Sequence, residues 1–440
     1  MCTVMAFIVR SERRGVTTVI STLRLCPWLY ETLLHFFRSK AYRLNEIYAR
    51  WVNIVQTSIT LYEQEGHVIL IGDHIKVSKE GRRMPRVRTY HQESDNSGKP
   101  EYIEGHNYGF ISALATDGTT YRNIPLMAEM QESKSKTGGA SLVEQVVGCG
   151  GRLIKSLKKP VTLVLDAYFC SSMTFITSDH FKDDCGNRML EIVTRAKTDT
   201  VAYTSPVSVC KPTKRGRPRI YGEKVKLQSL FVSESSSFTE TELVLYGKKE
   251  KVRYLCRDLI WKPCQRPIRF VLAEMGGNRV IFMSSDTGMS PESILMLYGF
   301  RFKIETGFNE LKNEIGCFDY RFWTKSLPKK KKWKDIELPT DSIARNNISK
   351  AIQAIETHVC LACIASGILT IIGFRHNRNI WDSFIGWLRT VRNDIPSIAT
   401  TRQVISQELT ASLPLLSDLP VFRCILRKQR IKNFIYRLVS

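Results

Sequence analysis

The spacing of apolar residues divides the chain into segments of helical and strand type. Residues 1–66 have apolar positions three and four apart, which predicts helices. From residue 67 onward short apolar runs predict strands, and helical spacing returns between them in Ala140–Leu157. The predicted strands are His67–Asp73, Tyr108–Ala115, Ile124–Met130, Val161–Asp166 and Leu190–Ala196. Residues 67–200 are therefore predicted to contain three strands, a helix and two further strands, in that order.

Residues 201–289 interrupt this order. They are rich in Ser, Thr, Val and Tyr, and short segments of alternating polarity predict further strands. We interpret this stretch as a β-rich insertion. Helical spacing resumes after Ser290-Pro291-Glu292, an expected N-cap and first turn, and helices are predicted through residue 395. Residues 396–440 are predicted to form a basic helical tail.

The charge balance points to a partner. The chain of 440 residues is long enough for two or three domains, and its 43% of apolar residues is normal for a globular protein. It carries 65 Lys and Arg against 42 Asp and Glu, a net charge of +23. Solvated surface charge is the alternative, but so large an excess favours a polyanionic partner. With no membrane span predicted, nucleic acid is the simplest such partner.

The twelve cysteines form neither a disulfide-like nor a zinc-like framework, which is typical of a reducing, cytoplasmic environment. The one Cys-x-x-Cys pair, Cys360 and Cys363, lies in the uncharged run Thr357–Phe374. That run has borderline length for a membrane span, but it contains His358 and follows a polar amphipathic stretch. We predict a buried core helix with packing cysteines there, and neither a metal site nor a membrane span.

One short stretch concentrates residues that suit chemistry on phosphates. A tyrosine, an arginine, a glutamate and a lysine stand at offsets 0, 3, 7 and 14, which a single α-helix would bring onto one stripe beside an apolar face. These residues are Tyr298, Arg301, Glu305 and Lys312. Gly299 and Gly307 predict a break at one of the two positions, and Gly316 predicts the end of the helix.

Two aspartates stand at the ends of predicted buried strands. Asp73 and Asp166 each follow an apolar run, where a carboxylate is costly unless it is bound. Strand-end aspartates are also common turn formers, so neither alone identifies a site. Together with Glu305 they would repel one another unless divalent cations lay between them. Hard oxygen ligands favour Mg²⁺ or Mn²⁺, and two such ions about 3.5–4 Å apart can activate a nucleophile and stabilise the leaving oxygen of a phosphodiester.

At these residues the chain resembles the DDE transposases of bacterial insertion sequences, in the branch defined by the signature Y-x-x-R-x-x-x-E-x-x-x-x-x-x-K. The stretch from Tyr298 to Lys312 matches that signature without a shift in spacing. The first aspartate of the family resembles Asp73 in Ile-Gly-Asp-His-Ile-Lys, and the second resembles Asp166 in Leu-Asp-Ala-Tyr. The resemblance covers roughly residues 67–325.

The resemblance implies an α/β fold with a ribonuclease H-like catalytic core, interrupted by a β-rich insertion and flanked by helical N-terminal and C-terminal regions. It implies cut-and-paste transposition: water hydrolyses the transposon end, and the freed 3′-hydroxyl attacks the opposite strand to form a hairpin. The hairpin is opened and the 3′ ends join target DNA. Asp73, Asp166 and Glu305 would be the catalytic metal ligands, holding two Mg²⁺ or Mn²⁺ ions.

The resemblance also implies partners and DNA contacts. The partners would be double-stranded DNA, as terminal inverted repeats and target, and a second subunit in a homodimer on DNA, in the cytoplasm and nucleoid of a bacterium. In relatives the signature Tyr, Arg and Lys handle phosphates near the cleaved end, which here implies Tyr298, Arg301 and Lys312. An insertion-domain Trp stacks on a flipped base in relatives. Trp261 matches that residue by location and not by motif, and packing is its alternative role.

A second basic motif opens the insertion. Lys214-Arg-Gly-Arg-Pro-Arg219 resembles an AT-hook core, in which the arginines enter a narrow minor groove and glycine permits close approach. Arg215 and Arg217 are then DNA-binding residues, and an exposed basic turn is the alternative. Arginines also surround the predicted helices of residues 1–66, which leaves open whether that region contacts DNA or caps the main domain.

Two other functions compete with transposition. A nuclease that cuts without joining would use the same carboxylates. A non-catalytic DNA-binding protein derived from a transposase would need none of them, and the presence of all three argues against it.

Overall fold

The computed structural model describes residues 2–10, 15–92, 98, 100–132, 139–206, 219–245, 247–331, 334, 336, 338–388, 394–412, 416 and 418–429.

The α-helices are α1 (Cys2–Val9), α2 (Thr17–Thr22), α3 (Leu29–Arg38), α4 (Leu44–Ser58), α5 (Leu142–Leu157), α6 (Ser172–Ser178), α7 (Leu227–Ser233), α8 (Pro291–Phe300), α9 (Phe302–Glu310), α10 (Ser342–Arg375), α11 (Asn377–Ser383), α12 (Ile398–Ser412) and α13 (Pro420–Lys428). The strands are β1 (Glu63–Gln64), β2 (His67–Ser78), β3 (Arg88–His91), β4 (Tyr102–Thr116), β5 (Tyr121–Gln131), β6 (Val161–Val164), β7 (Leu190–Arg195), β8 (Val201–Tyr203), β9 (Lys224–Lys226), β10 (Thr239–Leu245), β11 (Lys248–Trp261), β12 (Arg266–Met275) and β13 (Asn278–Ser284). The chain thus has an α/β fold with mixed pairing, as the sequence predicted.

The chain divides into two compact units. The first comprises residues 1–60, 74–132 and 305–440, and the second comprises residues 61–73 and 133–304. β2 passes from the second unit into the first after Asp73, and α9 does so after Ile304.

The second unit contains a mixed sheet. β2 pairs with β6 and β6 with β7, both in parallel, while β13, β12 and β11 continue the sheet antiparallel. β6 is buried along its whole length, which explains why three of its four residues are apolar. Helix α5 begins at a capping box, in which the Ser141 hydroxyl accepts the Glu144 N–H and the Glu144 carboxylate accepts the Ser141 N–H. The strands β10–β13 confirm the β-rich character predicted for residues 201–289.

The first unit combines antiparallel strands with helices. β4 pairs with β3 on one side and β5 on the other. The Lys79 N–H donates to the Glu104 carbonyl, 2.8 Å away, which places the end of β2 beside β4. α10 packs against β5, α1, α3, α4 and α12. Most of its apolar stretch is buried in the protein, although its length and composition would also suit a membrane span. The prediction of a buried core helix over Thr357–Phe374 is therefore confirmed.

The helix carrying the signature differs from the prediction. The predicted N-cap at Ser290 is confirmed, because the Ser290 hydroxyl accepts the Ser293 N–H and proline follows at the first helical position. Gly316 also ends the helical stretch, in a left-handed conformation with φ +66°. Between them, however, the chain leaves the α-helix at Arg301, not at either glycine. A π-helical turn then covers Leu311–Ile315. The prediction that Tyr298 to Lys312 form a single α-helix is therefore wrong.

Candidate active site

The two predicted aspartates belong to neighbouring parallel strands in different ways. Asp73 lies inside β2, which continues to Ser78, so the prediction that a strand ends at Asp73 is wrong, whereas Asp166 follows the end of β6. The register of β2 and β6 pairs Ile71 with Val164, and each aspartate follows two residues later. Carried on by two residues, the same register sets Asp73 opposite Asp166. Neighbouring strands lie about 4.8 Å apart, and residues at one register position share a face of the sheet. The register therefore predicts that the two carboxylates lie near each other where β6 ends.

Asp166 accepts one hydrogen bond at its side chain and one at its backbone carbonyl. Its Oδ1 accepts the N–H of Tyr168 at 2.9 Å and so caps a short 3₁₀ turn, Ala167–Phe169. Its carbonyl oxygen accepts the hydroxyl of Thr194 at 2.6 Å, and Thr194 is buried on β7. Thr194 thus positions the second aspartate from the next strand, a role that no local pattern in the sequence indicated.

Two signature residues lie in the same unit as the aspartates. Arg301 follows the last turn of α8, and its Nη1 lies 3.7 Å from Oδ2 of Asp73. Both side chains are mostly shielded, at 21% and 14% exposed, which strengthens their attraction relative to a surface pair. Tyr298 packs its ring against Phe282, with the centroids 4.8 Å apart. The first aspartate therefore has a cationic partner supplied by the signature.

The other two signature residues belong to the first unit. Glu305 is exposed in the first turn of α9. Lys312 is exposed in the π-helical turn, where the wider i→i+5 spacing changes the direction of each side chain from that of an α-helix. Lys312 lines a groove of the first unit formed by residues 75–84 and 318–329.

The remaining predicted DNA contacts have different outcomes. Trp261 is 6% exposed and packs edge-to-face on Phe175, with the ring centroids 5.3 Å apart. Its contacts favour the packing role over stacking on a base. Arg215 and Arg217 lie outside the described residues, so their role stays a prediction.

The ligand types at the aspartate pair suit a hard divalent cation. Two carboxylates side by side repel, and the single positive charge of Arg301 offsets only one of them. Carboxylate oxygens are the donors that Mg²⁺ and Mn²⁺ prefer. Within the described ranges, no group of three or more His, Cys, Asp or Glu side chains is arranged to hold a metal ion. Glu305 as a third ligand, and the two-ion site, therefore stay predictions.

Comparisons with known proteins found a distant structural similarity to this chain and no matching family. No protein-family model matches it, and no curated protein does so either. Among solved structures it is similar to the NurA nuclease from Sulfolobus solfataricus, with 10% sequence identity and a TM-score of 0.23. That match covers 65% of this chain and 92% of the NurA chain. A similarity this distant supports no inference about function.

Proposed function

We propose that this protein is a DDE transposase, which cuts and joins DNA by metal-dependent phosphodiester chemistry. Two observations carry the proposal: the parallel register of β2 and β6, which would set Asp73 opposite Asp166 when extended by two residues, and the ion pair of Arg301 with Asp73. Each aspartate also has a structural contact, Asp166 with its own turn and Asp73 with Arg301, but together these residues would supply two carboxylates and an arginine at the carboxyl edge of β6. Ligands commonly bind at that edge in α/β proteins.

Strand order supports a ribonuclease H-like core as part of the proposal. In chain order β2, β4 and β5 are followed by α5, β6 and β7. The first unit orders its strands β5, β4 and the end of β2, and the second unit orders its strands β2, β6 and β7. β2 is common to both, and the insertion follows β7 and precedes the signature. An insertion between the second aspartate and the glutamate is what the family resemblance implies.

Each residue has a distinct proposed role. Asp73, Asp166 and Glu305 would hold two Mg²⁺ or Mn²⁺ ions. Such ions lower the pKa of bound water and stabilise charge on the leaving oxygen. Arg301 has a planar guanidinium suited to gripping a phosphate with two hydrogen bonds, and it balances Asp73 when no DNA is bound. Lys312 would act as a point charge on a flanking phosphate.

Charge-neutral substitutions test the carboxylates. We expect Asp73→Asn, Asp166→Asn and Glu305→Gln each to lower strand cleavage by several orders of magnitude, because each removes a metal ligand. End binding should persist, since no phosphate contact is lost. The assay is Mg²⁺-dependent nicking of a labelled duplex that carries the terminal inverted repeats of the element.

Asp286 provides a matched control. It follows β13 in the same unit, and its Oδ1 accepts the Gly288 N–H at 2.7 Å, much as Asp166 caps its own turn. Asp286→Asn should therefore cut at the parental rate. If this control and the Asp166 variant lose cleavage equally, turn formation explains both and the metal assignment fails.

The same assay separates the competing functions. A transposase yields hairpin ends and strand-transfer products, whereas a nuclease yields cut ends alone. A non-catalytic DNA-binding protein shifts the duplex in a gel and leaves it intact at every Mg²⁺ concentration. Light scattering of the DNA complex then tests the proposed homodimer.

A further inference from the structure

A large groove in the first unit is lined by cations. Residues 75–84 form one wall and residues 318–329 the other, with Lys312 at the margin, and together they enclose about 890 Å³. We call this the cationic groove. Seven of its lining residues are Lys or Arg, whereas only Glu80 and Asp319 are acidic. A concave surface with so one-sided a charge raises the local concentration of anions.

Backbone hydrogen bonds hold the two walls together. The Thr324 N–H donates to the Arg83 carbonyl at 3.2 Å, and the Lys330 N–H donates to the Arg82 carbonyl at 2.7 Å. The Arg83 guanidinium also reaches the carbonyl of Lys325, 3.4 Å away. The spacing of the cations is thus set by the fold, as a binding site for an extended anion requires.

The cations of the groove differ from a structural cation next to it. Lys330 is buried and paired with Glu104. Across the described part of the chain, the side chains of Arg82, Arg321 and Lys329 have no ion pair or hydrogen bond. Their positive charges are therefore not neutralised by other side chains of the protein, and they can pair with an external anion.

Lys79 adds a shielded cation at the base of the groove. Its Nζ lies 3.8 Å from the centroid of the Tyr320 ring and donates to the Phe318 carbonyl. Burial lowers the pKa of Lys79 to about 8. A bound phosphate would favour its charged form, because an opposite charge nearby raises the pKa of an amine.

Trp323 supplies an aromatic surface within this cationic lining. It lines the groove and is 50% exposed, unusual for a side chain that could pack inside. Cations that follow a phosphate backbone, interleaved with an exposed aromatic ring, are the combination by which proteins bind single-stranded nucleic acid. A duplex keeps its bases stacked on one another and offers no free base to the ring.

We propose that the cationic groove binds an unpaired stretch of DNA, with phosphates along Arg82, Arg321 and Lys329 and a base stacked on Trp323. The proposal rests on the function above, because cutting and joining DNA ends exposes unpaired nucleotides. It adds a single-strand site built from residues of the first unit.

Binding without metal tests the proposal separately from catalysis. The probes are fluorescein-labelled oligo-dT and a blunt duplex of the same length, titrated with the full chain in EDTA. Trp323→Ala should weaken oligo-dT binding at least about fivefold, since a stacked base contributes about 1–3 kcal/mol. Duplex binding should change much less. Trp323→Phe, which keeps an aromatic face, should retain most of the affinity.

Two control variants match the substitutions in the groove. Trp387 is 84% exposed and does not line the groove, so Trp387→Ala should bind oligo-dT as the parent does. Arg82→Ala should reduce the slope of log K against log salt by about 0.7 on the single strand, the contribution of one phosphate contact. Arg378 is an exposed arginine paired with Asp382 outside the groove, and Arg378→Ala should leave the slope unchanged.

The outcomes distinguish this proposal from the proposed function. If Trp323→Ala and Trp387→Ala bind oligo-dT equally well, the single-strand site is refuted even when the parent cleaves DNA. If Trp323→Ala selectively loses oligo-dT while the parent never cleaves in Mg²⁺, the site stands and the transposase proposal fails. If Trp323→Ala lowers the affinity for oligo-dT and for duplex equally, the groove binds polyanions in general, and the proposal is also overturned.

Discussion

Gly307 offers a test of how the fold positions Glu305. It lies in α9, two residues after Glu305, where glycine costs about 0.8–1 kcal/mol relative to alanine in an ordinary helix. A Cβ at this position would stand 2.0 Å from Nδ2 and 2.8 Å from Cγ of Asn123, a buried residue of β5. Glycine is therefore explained by close packing of α9 on β5, despite its cost to the helix.

The substitution Gly307→Ala should displace α9. An ordinary contact needs about 3.4 Å, so helix and strand must separate by about 1.4 Å or the buried Asn123 must leave its position. Overpacking of this kind costs about 1–3 kcal/mol, which outweighs the gain in helix propensity. A displacement near 1 Å at a catalytic group can lower a rate about a hundredfold. We expect a loss of that order in Mg²⁺-dependent cleavage, together with a lower thermal midpoint.

Gly299 and Asn123 provide the controls. A Cβ at Gly299, in α8, would meet Leu245 at 3.6 Å, which is ordinary contact. Gly299→Ala should therefore raise stability by up to about 1 kcal/mol and preserve cleavage. Asn123→Ala combined with Gly307→Ala removes the clash and should restore much of the lost activity. Parental cleavage by Gly307→Ala alone would refute the argument that this contact positions Glu305.

Two further predictions concern pH and DNA sequence. Burial raises the pKa of Glu356 to about 7, although Arg86 lies 3.6 Å away. Because the folded state then holds the proton more tightly than the unfolded state, the free energy of unfolding should fall by up to about 3 kcal/mol between pH 4.5 and 7. Glu356→Gln should abolish that fall in denaturant titrations, and an unchanged pH profile would contradict the assignment. Replacing Arg215 and Arg217 with Ala should weaken binding to A·T-rich duplex more than to G·C-rich duplex, and equal losses in a competition assay would exclude minor-groove recognition.

Local chemistry explains why much of the architecture could be predicted. The run Val161–Leu165 is apolar except for Thr162 because β6 is buried and has parallel neighbours on both sides, and this pattern predicts a strand from the local sequence. The start of α8 at Ser290 and the end of the helical stretch at Gly316 depend on caps within a few residues. Such features are encoded in short segments, and sequence determines them directly.

The candidate site depends on contacts between distant segments. Sequence placed Asp73 and Asp166 at strand ends, which holds for Asp166 but not for Asp73, because β2 continues to Ser78. The parallel register that relates the two residues is set by pairing across about 90 residues. The contact of Arg301 with Asp73 likewise depends on where α8 ends.

Side-chain environments were also decided by the tertiary structure. From sequence alone, Trp261 could either stack on a DNA base or pack inside the protein. Its edge-to-face contact with Phe175 favours packing. Two adjacent lysines differ in the same way: Lys330 is buried against Glu104, while Lys329 lines the cationic groove. Sequence by itself determined the elements and the kinds of chemistry available, because helix and strand patterns are local. Only the tertiary structure decided which groups meet, because register, burial and pairing depend on residues far apart in the chain.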